Sequence, residues 1–283
     1  MDHRIKTFAF KLLQALPRTQ GDRAYHWLQT LKQQTLTAEI ESQESTIIKF
    51  AAEVDKLGLS FRKKTIVEIG SGWLPIAPYL LLFKHQAARV LTIDNNRHYR
   101  DADIGRLNRY FEERFEVSFP EGRSLHPAVS YFPLTNLLDH PIGHGTTQVV
   151  ISRNVLEHVT PADLEAMHRK AYSFLEKDSF IIHQISPSDH RAYSDKNLSL
   201  WDFLQYAPEE WDRIQTRFDY HNRLRLPQYL AVFKKCGFEV RCLRYEGAQG
   251  SPKLPENIHP DYAGFSNEEL TAGSIVVILV PAK

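Results

Sequence analysis

The residues best suited to chemistry cluster in the run Thr65-Ile66-Val67-Glu68-Ile69-Gly70-Ser71-Gly72-Trp73. Its β-branched half stops abruptly at Gly70-Ser71-Gly72, the pattern of a buried parallel strand meeting a turn. Glycines at 70 and 72 let the backbone bend sharply, and a ligand can reach main-chain amides with no Cβ in the way. A second run, Arg89 to Ile93, ends in Asp94-Asn95-Asn96, about twenty residues beyond the glycine turn. A carboxylate there can hold ribose hydroxyls, so the two features together predict an adenosine-type cofactor. His158, His183, His190 and His221 supply imidazoles suited to general-base work near neutral pH. Trp201, Tyr220, His221 and Arg223 belong to a stretch rich in rings and guanidinium groups. Such rings suit sugars or planar acceptors, and an arginine there could clamp an anion.

The cofactor class is narrowed by what the turn lacks. Pro75 stands where the dinucleotide fingerprint G-x-G-x-x-G needs its third glycine, and no G-x-x-x-x-G-K-[ST] occurs. What remains, Glu68-x-Gly70-x-Gly72, resembles motif I of the class I S-adenosylmethionine-dependent methyltransferases. Val149 to Val159, V-V-I-S-R-N-V-L-E-H-V, resembles motif IV of the same family, with Gln148 where many relatives carry Asp. The resemblance covers residues 60 to 185 well and the last strands loosely. It implies S-adenosylmethionine as cofactor. The loop Gly70, Ser71, Gly72 and Trp73 would lie beside the methionine portion, and Asp94 with Asn95 would lie at the ribose. Arg153 and Asn154 would lie next to the ligand, and Asn136 at the adenine edge. His183 to His190, H-Q-I-S-P-S-D-H, further resembles an H-x-I-D-x-x-D-H pattern of a methyltransferase subgroup encoded with bacterial polysaccharide and natural-product pathways. Ser186 replaces the first Asp of that pattern.

These residues need a scaffold. The alternation of β-branched runs with helical segments demands right-handed crossovers and a parallel sheet. Strands are expected near 65–69, 89–93, 128–131, 148–152, 179–185, 238–245 and 273–280, with helices near 76–85, 161–175 and 226–236. Thr160 before Pro161 marks a helix start, and Gly237 a helix stop. Pro75 and Pro78 place the first crossover helix at Pro75 or Ile76, leaving the amides of Ser71, Gly72 and Trp73 to hold the ligand. The fold expected is α/β: a doubly wound, seven-stranded, mostly parallel Rossmann-like sheet, ending in the antiparallel hairpin that the resemblance implies. Residues 1–60 read as an N-terminal helical cap, with Ile5, Phe8, Leu12 and Leu16 as an inward packing face. Residues 61–283 read as the main domain, with 186–225 as a substrate lid.

Composition excludes several classes. A formal net charge of +1 gives no electrostatic footprint for nucleic acid. Cys236 and Cys242 make neither a disulfide framework nor a zinc site, and a reducing cytoplasm is expected. No apolar run reaches membrane-spanning length. The spacing of His183, Asp189 and His190 matches no metal motif, so no metal is expected. The reading that follows is O-methylation of a saccharide or biosynthetic intermediate, with His158, His183 or His190 as base. N- or C-methylation of a natural product and a non-catalytic cofactor-binding role are the alternatives. The oligomeric state is not legible.

Overall fold

The computed structural model describes residues 3–30, 35–119, 124–247 and 253–282. Three helices come first: α1 (His3–Ala15), α2 (Arg18–Thr30) and α3 (Leu36–Lys56). Thr35 caps α3 by accepting the Ala38 amide. β1 (Thr65–Ile69) then opens the sheet, followed by α4 (Ile76–Tyr79), which runs into a π turn at Leu80–Lys84. The helix begins where the prolines require. β2 (Arg89–Asp94), α5 (Asp101–Phe115), β3 (Val129–Pro133) and β4 (Val149–Arg153) follow. A short 3-10 turn, Leu156–His158, leads into α6 (Pro161–Phe174), capped by Thr160. After β5 (Phe180–Ile185) come α7 (Arg191–Ser194), α8 (Pro208–Ile214) and α9 (Leu226–Lys235). β6 (Phe238–Glu246), α10 (Asn267–Thr271) and β7 (Gly273–Pro281) close the chain.

The sheet order is β3-β2-β1-β4-β5-β7-β6, parallel except at β7, which runs antiparallel to both neighbours. This is the Rossmann-like fold of class I methyltransferases, with the expected seven strands. Alternate side chains feed two cores. Ile66, Val90, Val149, Ile151 and Ile182 pack with α3, α4 and α5. Val67, Ile69, Val150, Ile181 and Ile185 pack with α6 and α9 on the other face. The strand order reverses at β1 and β4, so the crevice for ligands lies beyond the carboxyl ends of those strands.

Two features depart from the sequence reading. Helix α5 was not expected. The stripe Ile5, Phe8 and Leu12 on α1, with Leu16 just past its end, is exposed, and Phe10 is the buried side chain of that helix. Phe10 meets the rings of Tyr25 and Phe218, while His3 bonds Asp195 through both its backbone amide and its ring. Contacts to the segment after β5 orient α1, and they turn its apolar stripe away from the sheet. That segment has its own small core, in which Phe203, Leu204 and Trp211 pack with Tyr262 and Leu270. Among the described residues no helix is long and apolar enough to cross a membrane.

Candidate functional site

Gly70 leaves β1 at φ +83° and its amide donates to the Ile93 carbonyl of β2. The next amide, that of Ser71, donates to Asp94 Oδ2 at 2.9 Å, and the Ser71 hydroxyl lies 3.2 Å from the same oxygen. Asp94 Oδ1 accepts the Asn96 amide at 2.7 Å and stands 3.5 Å from His98 Nε2. Burial works against the Asp94 charge, but His98 and the amides outweigh it and hold the pKa below the usual carboxylate range. The glycine bend and the acid therefore share one crevice. Gly72, at φ +62°, is exposed, and a Cβ there would meet nothing within 4 Å. At Gly70 a Cβ would sit 2.4 Å from Val155 Cγ2, a β-branched side chain with little room to turn. Gly70→Ala is expected to cost about 2–4 kcal/mol in urea unfolding, and Gly72→Ala only about 1 kcal/mol. Equal costs would contradict this reading of the bend.

Trp73, Asn96 and His98 line one side of a cavity of about 370 Å³ beside this bend. The opposite side comes from α2, through Arg18, Asp22 and Tyr25, and from Arg217 and Phe218. Tyr25 stacks on Phe218 at 4.6 Å, and Arg217 pairs with Asp22 at 3.0 Å. Residues of α2 and of the segment after β5 thus meet at this cavity. The sequence reading gave no site role to Asn96, His98 or Tyr25, and counted Phe218 only among the rings of the insertion. The polar pair was readable from its position just beyond Asp94, but the aromatic pair carries no local signal.

The histidines divide into two groups. His183, on β5, is buried beneath the sheet on the α6 side. Its Nδ1 lies 2.7 Å from Ser152 Oγ and its Nε2 3.2 Å from His168 Nε2, while His168 Nδ1 meets the Leu164 carbonyl at 2.7 Å. One tautomer set satisfies this chain: Ser152 donates to His183, His183 to His168, and His168 to Leu164. The expectation that His183 reaches the crevice is therefore corrected: alternation fixed its face, and that face is the covered one. Asp189 is likewise committed, forming a buried ion pair with Arg191 at 2.6 Å. His158, His190 and His221, in contrast, converge from three segments, with ring nitrogens all within 4.8 Å of one another. His158 Nδ1 meets the Tyr220 carbonyl at 2.8 Å and His221 Nδ1 the Asp219 carbonyl at 3.0 Å. Burial pushes the His190 pKa down to about 3 and that of His221 well below its ordinary value.

The remaining expected residues are placed as follows. Glu68 is buried in β1 with Oε2 unpartnered, and desolvation raises its pKa to about 8, so it is neutral at pH 7. Glu157 behaves alike, burial again pushing its pKa up to about 8. Arg153 reaches from the end of β4 to Thr46 Oγ1 and Ser42 Oγ of α3, tying that helix to the sheet. Asn154 has φ +53° and a buried Oδ1 without a partner. Asn95 is exposed. Asn136 spends its Oδ1 on the Leu138 amide, one residue past Thr135, whose amide binds the Asp94 carbonyl. Trp201 is half-buried against the small core of the insertion. Tyr220 lines an open groove with Gln14 and Thr216. Arg223, expected to face an anion, is buried and donates to the carbonyls of Phe203 and Tyr206. Its Nη1 stitches the insertion together and the side chain is buried, so it does not present a free fork to an anion as expected.

No protein-family model matches the chain, and no curated protein matches it in sequence. Among solved structures it is similar to a Listeria monocytogenes protein assigned as an S-adenosylmethionine-dependent methyltransferase. Identity there is 16%, covering 82% of this chain and 96% of that one, with a TM-score of 0.46. It is also similar to magnesium protoporphyrin IX methyltransferase (ChlM) from Synechocystis PCC 6803 with bound SAH, at 13% identity, 88% of each chain and a TM-score of 0.49. The cyclopropane synthase MmaA2 from Mycobacterium tuberculosis matches at 16% identity, over 70% of this chain and 62% of that one, with a TM-score of 0.47. At these identities the likeness is one of fold, and the reading of the site rests on its own geometry.

Proposed function

We propose that this chain binds S-adenosylmethionine between the Gly70–Gly72 bend and Asp94, and methylates a hydroxyl oxygen of a small molecule such as a saccharide or biosynthetic intermediate. One observation carries the reading: the Ser71 amide and hydroxyl rest on Asp94 Oδ2, so bend and acid face one crevice. The residues fit the cofactor. Gly72 borders open space, Asn154 offers a buried acceptor without a partner, and Trp73, Asn96 and His98 border a cavity large enough for a nucleoside. Asp94 would hold the ribose hydroxyls, and the loop amides would hold the methionine portion.

When bound, S-adenosylmethionine supplies an electrophilic methyl group on a sulfonium. The chain's own work is then to position the acceptor and to remove its proton. The His158, His190 and His221 cluster stands after β4, after β5 and in the insertion, following the carboxyl ends of two central strands. The lone pair of His158, the exposed imidazole of the cluster, takes the hydroxyl proton. Residues 1–60 act as a cap and 186–225 as a lid, which their contact through Tyr25 and Phe218 supports. Free, buried Cys236 and Cys242 suit a reducing cytoplasm.

The test is transfer of label. Protein is incubated with methyl-labelled S-adenosylmethionine and a panel of saccharides and phenols, and products are read by mass spectrometry. Label in an ether linkage is expected. Label on nitrogen or carbon would overturn the acceptor assignment. Cofactor binding without labelled product from pathway extract would favour a non-catalytic role.

A further inference from the structure

We propose that His158, His190 and His221 form a binding site for a divalent transition metal of the zinc class, with a coordination position left open to solvent beside His158. The three residues come from the turn after β4, the loop after β5 and the insertion, yet their ring nitrogens lie within 4.8 Å of one another. Ring centroids are separated by 5.2 Å for His158–His190, 4.5 Å for His158–His221 and 3.9 Å for His190–His221. Every pair of rings is steeply inclined, at 62° to 75°, in edge-to-face contact.

The outer bonds are those of a ligand set. His158 and His221 each give Nδ1 to a backbone carbonyl, Tyr220 and Asp219 respectively. An Nδ1–H held by a carbonyl fixes the tautomer that leaves Nε2 as a lone pair, the second-layer arrangement usual around metal-bound histidine. The inner atoms are correspondingly idle. Nε2 of His190 and Nε2 of His221 are buried without a hydrogen-bond partner, and His221 is only 6% exposed. A buried imidazole nitrogen without a partner is costly unless something fills it. A water could bridge such atoms, but three acceptors facing one another leave a water only two protons to share. A dication satisfies all three.

Size and access agree. Zinc–imidazole bonds of 2.0–2.1 Å put tetrahedral ligand atoms about 3.3 Å apart, so closure needs up to about 1.5 Å of movement at the nitrogens and a turn of the rings out of their edge-to-face contacts. His158 lies exposed on a short turn, where such movement is cheap. Its exposure also keeps the fourth position open, as in catalytic rather than structural zinc sites. Lys6 stands at the rim, near Asp189 and Asp219, and its charge counts against the ion. Asp189 is neutralised by Arg191, and Asp219 spends one carboxylate oxygen on Thr216.

Metal binding does not depend on the methyltransferase reading. Only the use of the open position rests on it: an acceptor hydroxyl bound there would lose its proton to solvent water, replacing imidazole as the base. The experiment therefore measures binding directly. Untagged, chelator-stripped protein is titrated with Co²⁺ while its visible absorption is followed, then challenged with Zn²⁺. One Co²⁺ per chain is expected, with intense four-coordinate bands that Zn²⁺ abolishes. His221→Ala and His190→Ala should weaken binding by on the order of 100-fold or more, since even outer partners of such ligands are worth 10–100-fold. His158→Ala, on the surface turn, should do the same and guards against misfolding of the buried variants. His144→Ala, at an exposed site distant in sequence, should bind as the parent does. Absence of saturable Co²⁺ binding, or equal binding by His158→Ala and the parent, would overturn the site. Calorimetry with S-adenosylmethionine on the same stripped protein separates this failure from failure of the cofactor reading.

Discussion

Asp94→Ala lowers affinity for S-adenosylmethionine by about 10²–10⁴-fold while the protein stays folded. The size follows from the kind of bond lost. A hydrogen bond to a charged group contributes about 1.5–3 kcal/mol, and a ribose offers two hydroxyls to one carboxylate. The carboxylate already accepts the Ser71 and Asn96 amides at 2.9 and 2.7 Å, bonds that fix the loop. Its contacts to Ser71 Oγ at 3.2 Å and His98 at 3.5 Å are the weak ones, and those are the positions a diol would take over. Asp94→Asn keeps one acceptor oxygen and should fall between the parent and alanine. Calorimetric titration of the three proteins, with circular dichroism to verify folding, decides it. Equal affinities for all three would remove Asp94 from the ribose.

Stability falls steeply below pH 6, because the Ser152–His183–His168 chain holds only when both rings are neutral. Burial lowers the His168 pKa to about 4 from an ordinary 6.5 and drives His183 well down, with the neighbouring ring adding to the effect. Protonating His168 at Nε2 would set a donor against the His183 donor 3.2 Å away. The unfolded chain binds these protons near pH 6.5 and the folded chain does not, so the stabilisation is fully present above 6.5 and is lost as pH falls toward 4. For His168 alone that is about 3 kcal/mol. Glu68 acts in the opposite sense. Its raised pKa, about 8, favours the folded state at low pH, and that contribution is lost as pH rises from 4.5 through 8; Glu157, also raised to about 8, adds a loss of the same sign. Maximum stability is therefore expected near pH 6.5. Urea unfolding at pH 4.5, 5.5, 6.5 and 8.5 measures the curve. His168→Gln should flatten the acid limb by about 1.4 kcal/mol per pH unit, and Glu68→Gln the alkaline limb. An acid limb unchanged in His168→Gln would show that the buried rings do not set it.

Much of the scaffold was readable because strands and their turns carry strong local signals. Thr65–Ile69 runs into Gly70 as expected, and the two glycines with Asp94 marked the crevice from composition and spacing alone. Helix α5 was missed although Asp101 and Asp103 occupy its first turn and Ile104, Leu107 and Phe111 its buried face. The stripe of α1 was read correctly as a stripe and wrongly as a packing face, since periodicity does not say which side the rest of the chain covers. His183 failed for a related reason: alternation assigns a face, but only the packing of α6 and α9 says that this face is closed. Arg223 was spent on carbonyls that no sequence pattern announces. The imidazole cluster was the least legible of all, because its members are separated by long stretches of chain and only the insertion's path brings His221 to His158 and His190.

Titration calorimetry of S-adenosylmethionine into the unmodified protein at neutral pH tests the central claim most directly. The account predicts one site per chain with a dissociation constant on the order of 1–100 µM, competed by S-adenosylhomocysteine. A folded protein that releases no heat across that range, or whose binding survives both Gly72→Val and Asp94→Ala, would contradict it.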